Sequence, residues 1–344
     1  MRVLEDSEII KNKVILHKND EKILALLCFN IRLPLSKIAK LLRLSRQSVE
    51  YRIKVMQRHH LIAGSRAVIN IKKIGYQSYH FFLTMQNTSS EKTFIELCKN
   101  HLSVNALISY SGKFNYEVSI MEKNPNAALI KLLSLIKGLE VADIMPTILL
   151  ENIKSSVLPS LQEPKLSSLK YIRNDPSFVK QFFAQQQNYI PDDKDLELLY
   201  QLSQNAQLTL SDLGNKIKLT NDAVAYRIKK LVRAGYILEF RPVIDYAVLG
   251  LSIQAVLLKV RNRTPELDTQ FHAHIKQNTS VVWATSLFGN WDYLIYLLHE
   301  RQEEIHSFIE SLKDKLSNNF SSYDILFAYK EHKYSYMTEA MRKG

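Results

Sequence analysis

The stretch DEKILALLCFNIRLPLSKIAKLLRLSRQSVEYRIK, Asp20 to Lys54, returns without a gap as DLELLYQLSQNAQLTLSDLGNKIKLTNDAVAYRIK, Asp195 to Lys229. The shift of 175 holds on to Gly75 and Gly250. Of those 56 positions 19 are identical, including the block Tyr51-Arg52-Ile53-Lys54 against Tyr226-Arg227-Ile228-Lys229. A duplication of this kind governs every later reading, because each copy must fold as the same unit. Further on, SGKFNYEVSI from Ser111 matches FGNWDYLIYL from Phe288, now at a shift of 177. Two residues are therefore gained in the second copy, and a loop is where they are accommodated at least cost.

Within each copy the apolar spacing divides into two modules. The first reads helix Asp20 to Phe29 (Asp195 to Ser203), helix Leu35 to Arg43 (Leu210 to Lys218), and a break at Leu44 (Leu219). Ser45 (Thr220) then caps a third helix whose apolar positions are Val49, Ile53 and Met56 (Val224, Ile228 and Leu231). LIAGSRAVIN and YILEFRPVID alternate like a two-stranded ribbon, or wing. The second module reads strand Tyr79 to Gln86, helix Glu91 to His101, strand Val104 to Tyr110, strand Tyr116 to Glu122, helix Ala127 to Ile136 and strand Val141 to Leu150. The second copy repeats that order up to strand Tyr323 to Tyr329. The order βαββαβ predicts a ferredoxin-like sheet with helices on one face. The expected class is α+β, with two winged helix-turn-helix domains and two ferredoxin-like domains in tandem. The domain bounds are an N-terminal extension 1–19, then 20–75, 76–150, a linker 151–191, then 192–250, 251–330 and a tail 331–344. The linker carries four prolines, and FVKQFFAQQQNY within it predicts one short helix.

Composition narrows the function classes. The chain is 46% hydrophobic and 23% charged, a globular balance. Its longest unbroken apolar run, Ile23 to Phe29, falls far short of the roughly 18 to 20 residues of a bilayer span, and the acidic start MRVLEDSE is unlike a secretory signal. A cytoplasmic protein with no membrane partner is expected. Cys28 and Cys98 are too few for a disulfide framework or a four-ligand zinc site. His272 and His274, two apart on one predicted helix, face different directions, so no metal is expected. Neither a phosphate loop nor a nucleophile elbow is present, and no cofactor is expected.

The charge is lopsided. Residues 1–190 hold 27 basic and 15 acidic side chains, whereas residues 191–344 hold 19 of each, so the whole net charge of +12 is N-terminal. Such a field is the footprint of a polyanion partner, double-stranded DNA first. In a helix-turn-helix the residues just after the second helix's N-cap reach base edges. Here Ser45 is followed by Arg46, Gln47 and Ser48; arginine suits guanine and glutamine suits adenine. The second copy offers Asn221, then Asp222 and Ala223. Lys37, Lys40, Arg43, Arg52, Lys54 and Arg58, with Arg66 on the wing, are the expected phosphate contacts of the first copy, and Arg227 and Lys229 those of the second. Residues 20–75 hold 12 basic and 3 acidic side chains against 7 and 6 in 195–250, so the first copy is expected to supply most of the affinity.

These residues resemble two fused copies of the leucine-responsive and asparagine-synthetase regulator family, Lrp/AsnC. The match rests on LSRQSVEYRI and LTNDAVAYRI and on the turn Gly289-Asn290-Trp291-Asp292-Tyr293. The resemblance implies a DNA-binding transcriptional regulator whose ferredoxin-like domains pair face to face. It also implies a small amino-acid-like effector near Gly289, Asp292 and Tyr293. The first copy has Asn115 in place of the aspartate, which weakens the case for an effector there. A homodimer of fused chains is expected on palindromic DNA, because one chain offers one strongly basic recognition helix. The siroheme decarboxylases resemble the same architecture, but Ser109-Tyr110-Ser111, Ser286-Leu287-Phe288 and Gly64-Ser65-Arg66 depart from their pattern, so no enzymatic activity is expected; the other alternative to a regulator, which the nearly neutral second copy suggests, is an interaction scaffold with reduced DNA binding.

Overall fold

A computed structural model of the chain describes residues 13–160 and 189–343. The short helix expected in the linker falls almost wholly outside them. Each copy opens with three helices: α1 Lys18–Phe29, α2 Leu35–Leu42 and α3 Arg46–Arg58 in the first, α6 Asp193–Gln204, α7 Leu210–Ile217 and α8 Asn221–Arg233 in the second. Ile23, Leu24, Ile38 and Val49, and their counterparts Leu198, Leu199, Leu213 and Val224, are fully buried, so the helical spacing read from the sequence is the packing face.

The ribbon is not a hairpin. Each copy contributes one strand, β1 Ile62–Ile69 and β6 Ile237–Ile244, and the two pair antiparallel with each other, Arg66 opposite Arg241. LIAGSRAVIN alternates because one face of this two-stranded sheet is buried, but its partner lies about 175 residues away, where no local turn signal can announce it.

The ferredoxin-like units follow: β2 Gln77–Met85, α4 Thr88–Asn100, β3 Val104–Ser111, β4 Tyr116–Glu122, α5 Pro125–Ile136 and β5 Val141–Ser155 in the first. The second has β7 Ser252–Val260, α9 Pro265–Gln277, β8 Val281–Phe288, β9 Tyr293–His299, α10 Gln302–Leu316 and β10 Phe320–Tyr334. The two sheets close into one barrel in the order β10-β3-β4-β2-β5-β8-β9-β7. The extra two residues lie in the loop between β7 and α9, as Arg261 to Thr264 replaces Gln86 and Asn87.

Closure depends on the last strand of each unit. β5 and β10 each run 15 residues, well past the bounds that apolar alternation gave. The first half of β5 pairs with β2 and the second half with β8 of the other unit; β10 divides in the same way between β7 and β3. The second halves, with Glu151, Asn152 and Lys154 in one and Lys330, Glu331 and Lys333 in the other, read as polar tails because the strand that pairs with them belongs to the other unit. The tail 331–344 is therefore corrected: it completes β10, then buries Met337 and Met341, and Arg342 pairs with Glu197 of α6 at 2.7 Å. Each unit's helices cover the outer face of its sheet in a separate apolar core, while the inner faces share the core that extends into the helical domains.

At each seam a glycine lies against the other unit. Gly112 has φ +140, and a Cβ there would stand 3.0 Å from the Ile325 carbonyl oxygen; Gly289 has φ +147 and would stand 3.3 Å from that of Pro146. Both positive φ and close approach demand glycine. Gly112→Ala and Gly289→Ala are each expected to cost about 1–3 kcal/mol, with Gly112 the costlier, in urea unfolding monitored by circular dichroism. Gly138, also at positive φ but facing open space, is expected to lose less on the same substitution.

Candidate nucleic-acid interface and barrel core

The N-terminus of α3 is built as the sequence suggests. Ser45 is extended, its Oγ accepts the Ser48 amide at 3.1 Å, and the first turn projects Arg46 and Gln47 outward, with Ser48 half-buried. Lys40, Arg43, Lys54 and Arg58 are exposed and Lys37 is half-buried; Lys54 reaches back to Glu50 at 2.8 Å. In the second copy Thr220 caps α8 through the Ala223 amide at 3.3 Å, leaving Asn221, Asp222 and Lys229 exposed. One pair was missed. Tyr51 and Tyr226 are 65% and 66% exposed at equivalent positions of the two helices, unusual for so large a ring. Tyr51 lies four residues after Gln47, on the same face. Its identity across the repeat, on the side away from buried Val49 and Met56, was the available signal.

Three expected phosphate contacts are engaged elsewhere. Arg52 Nη1 binds Asp20 at 2.8 Å, and Arg227 Nη1 binds Asp195 at 2.9 Å and Asp192 at 2.8 Å. The identical pairs Asp20/Asp195 and Arg52/Arg227 are thus a repeated clamp that holds the recognition helix to the first helix of its domain. Arg66 lies not on an open wing but in the β1–β6 sheet, its guanidinium 5.4 Å above the Tyr334 ring and one of its terminal nitrogens buried. Arginine is the residue type for either role, so sequence alone does not separate them.

The glycine-aspartate turn is held by contacts of its own. Asp292 Oδ2 accepts the Val260 amide at 2.8 Å and lies 3.4 Å from Lys259 Nζ, and Arg263, from the lengthened loop, stands 3.9 Å from the carboxylate. Tyr293 is fully buried, with its hydroxyl on Asp268. Asn115 does the same work in the first copy, its Oδ1 accepting the Met85 amide at 2.9 Å. What the two turns share is an oxygen for a backbone N–H, which an amide supplies as well as a carboxylate. Asp292 thus clamps its turn, and Gly289 serves the seam.

The barrel interior holds a constellation the sequence reading did not find. Glu117, 2% exposed, accepts from the Tyr110 hydroxyl at 2.7 Å and from the Tyr296 hydroxyl of the other unit at 2.6 Å, and its second oxygen lies 2.6 Å from His80 Nδ1. Ser119 meets the far side of the imidazole at 3.2 Å, and the two phenols touch each other. The repeat makes this one-sided: His80, Tyr110 and Glu117 correspond to Ala255, Leu287 and Leu294. Those departures from an otherwise apolar register were the legible signal. Burial alone would raise the Glu117 pKa, but the bonds from His80, Tyr296 and Tyr110 outweigh it and hold the carboxyl below its ordinary value. Cys28 and Cys98 contrast with it, since burial pushes both thiols up to about 12 and leaves them weak nucleophiles.

Two measurements follow from these contacts. Arg227→Ala leaves fully buried Asp195 without its cation and is expected to cost about 3–5 kcal/mol; Arg52→Ala should cost less, because Asp20 is partly exposed. The depressed Glu117 pKa contributes stability that is complete above the ordinary carboxylate pKa and is lost as pH falls through the lower folded value. Urea midpoints measured from pH 6 down to pH 3 should therefore decline less steeply for Glu117→Gln than for the unaltered chain.

Comparison with known proteins agrees with this architecture. A family model described as winged helix-turn-helix DNA-binding matches residues 191–237, the helices α6 to α8. The proline dehydrogenase transcriptional activator of Rhizobium radiobacter is 26% identical over 143 residues, covering 40% of this chain and 90% of that protein. The regulator LrpB of Bacillus subtilis is 27% identical over 150 residues, covering 44% and 96%. Among solved structures, the siroheme decarboxylase NirDL matches with a TM-score of 0.60 at 12% identity over 95% of this chain and 96% of that one, a likeness of fold. This overturns the expectation of a chain without enzymatic activity: the architecture that spans nearly the whole molecule is also that of an enzyme, and motif departures do not set it aside. The chain is thus two fused repeats, each a three-helix domain followed by a ferredoxin-like domain; the second matches the winged helix-turn-helix model, and LrpB is similar to a stretch about as long as one such repeat.

Proposed function

We propose that the chain binds double-stranded DNA sequence-specifically and acts as a transcriptional regulator in the cytoplasm, with α3 as the principal reading helix. The observation that carries this reading is the β1–β6 pairing, which holds two recognition helices in one body while the first turn of α3 presents Arg46 and Gln47 to solvent. Relatives that share this unit are transcriptional regulators by name. Arg46 and Gln47 read base edges; Lys40, Arg43, Lys54 and Arg58 supply phosphate contacts, and exposed Tyr51 packs on the backbone or a thymine methyl. Two chains associate on a palindromic operator to present two such helices.

A second reading has its own observation. The Glu117, His80, Tyr110 and Tyr296 set is a desolvated carboxylate, imidazole and phenol network of the kind that moves protons, inside an architecture shared with a siroheme decarboxylase.

Selection of bound fragments from a random duplex pool is expected to enrich a palindrome. Arg46→Ala should cost about 1–3 kcal/mol at that site and relax one base position, Lys54→Ala should weaken all sequences alike, and Asn221→Ala should matter little. Absence of any enriched sequence, together with a co-purifying tetrapyrrole whose absorbance is lost in His80→Ala, would replace the regulator with the enzyme.

A further inference from the structure

The helices of the two ferredoxin-like units differ where they face away from their sheets. On α5, Leu129 and Ile130 lie four and three residues before Leu133, which puts the three on one stripe, opposite the buried Ala128, Leu132 and Leu135. Leu97 lies on α4, which packs beside α5 in the same layer. These four side chains are 39–59% exposed. The duplication supplies a control. In the second unit the buried register is kept, with Phe271 and Leu312 at the positions of Phe94 and Leu135, yet the four outward positions hold His274, His306, Ser307 and Glu310. Neither α9 nor α10 exposes a large apolar side chain. A helix that covers a sheet needs apolar residues on its inner face, so the outer stripe of the first unit is not demanded by the fold.

What this face can meet follows from its chemistry. The exposed positions of α5 are Pro125, Asn126, Leu129, Ile130, Leu133 and Ser134, none of them charged, and its one charged residue, Lys131, is bound to Glu122 and to Ser103. The neutral strip lies in the half of the chain that holds the whole net charge of +12. It offers a polyanion nothing to bind, and two equally basic molecules can touch there without like charges meeting. It carries no tryptophan, tyrosine or arginine anchor, and a plain aliphatic surface is closer to the apolar core of a homodimer contact. The largest apolar patch on a monomer is typically about 300–600 Å²; four half-exposed aliphatic side chains fall near the lower figure, and two such patches with their rims approach the roughly 1,000 Å² of a specific interface.

We propose that the outer face of α4 and α5 is where two copies of this chain pair. A two-fold axis sets the stripe of one α5 against that of the other, ridges into grooves, in an isologous contact. Because the second unit has polar residues at the same positions, each chain has one such helix face, and association through it closes at two instead of growing into a ring or filament. The proposal deepens the two-chain reading above and rests on it for any role on DNA; the contact itself needs none.

Sedimentation equilibrium of the full chain without DNA tests it. A species of twice the 39.9 kDa chain mass is expected, dissociating in the micromolar range. Leu129→His, Ile130→Ser and Leu133→Glu together install the residues that α10 carries at those positions, and are expected to raise the dissociation constant at least tenfold with an unchanged circular dichroism spectrum. Leu97→His should raise it at least threefold, and decides alone if the triple variant is misfolded. Leu238→Glu, at an exposed apolar position of β6, should leave the pair intact. A monomeric chain, an assembly larger than two, a pair indifferent to the α4 and α5 substitutions, or one equally disrupted by Leu238→Glu overturns the proposal. A monomer that still enriches an operator sinks this contact and spares the regulator reading, whereas a pair formed through α5 that enriches none does the reverse.

Discussion

The molecule depends on two strands that do not belong wholly to the units that encode them. β5 and β10 each spend their first half in their own sheet and their second half on the edge of the other. A four-stranded ferredoxin-like sheet on its own exposes unpaired edges and an uncovered face, both of which favour association with another chain. The exchange removes the edges by closing the barrel and covers the faces with each other. Because β5 ends at Ser155 and α6 begins at Asp193, the covalent connection that follows turns what would be an association of two chains into a property of one.

From that closure the positions of the recognition helices follow. β1 and β6 enter the barrel domains through the glycine turns at Gly75 and Gly250, at φ +81 and +74, and their mutual pairing gives the two helical domains a common base. The Asp-Arg clamps then fix α3 and α8 on their own domains, each by a carboxylate in the first turn of the domain's first helix. Basic residues consumed in this way leave a smaller set facing outward, chiefly at the start and the far end of α3.

Duplication has also allowed the halves to diverge. In a barrel made of two identical units, a buried carboxylate would occur twice and face its own copy across the axis. Here it occurs once, in the first unit, and the second supplies Tyr296 to complete its hydrogen bonds against an otherwise apolar wall. A single buried carboxylate is tolerable because each oxygen is engaged, and the phenol from the other unit makes its satisfaction conditional on the two sheets being docked.

The sequence by itself determined the units: the repeat, the three-helix domains with their Ser45 and Thr220 caps, the βαββαβ order, the lopsided charge and the loop that absorbed two residues. These are local quantities, set by helical and strand periodicity and by capping chemistry that acts within a few residues. Only the tertiary structure decided who pairs with whom. β1 looks the same whether its partner is a hairpin neighbour or a strand 175 positions on, and the polar second halves of β5 and β10 look like tails until the other sheet's edge is brought to them. Likewise Arg52, Arg227 and Arg66 carry the charge that phosphates require, but carboxylates of the neighbouring helices and an aromatic ring claimed them first. A guanidinium near a fully buried carboxylate such as Asp195 interacts in a low dielectric, and that interaction outweighs what a screened surface phosphate offers, so the fold rather than the residue type settles its role.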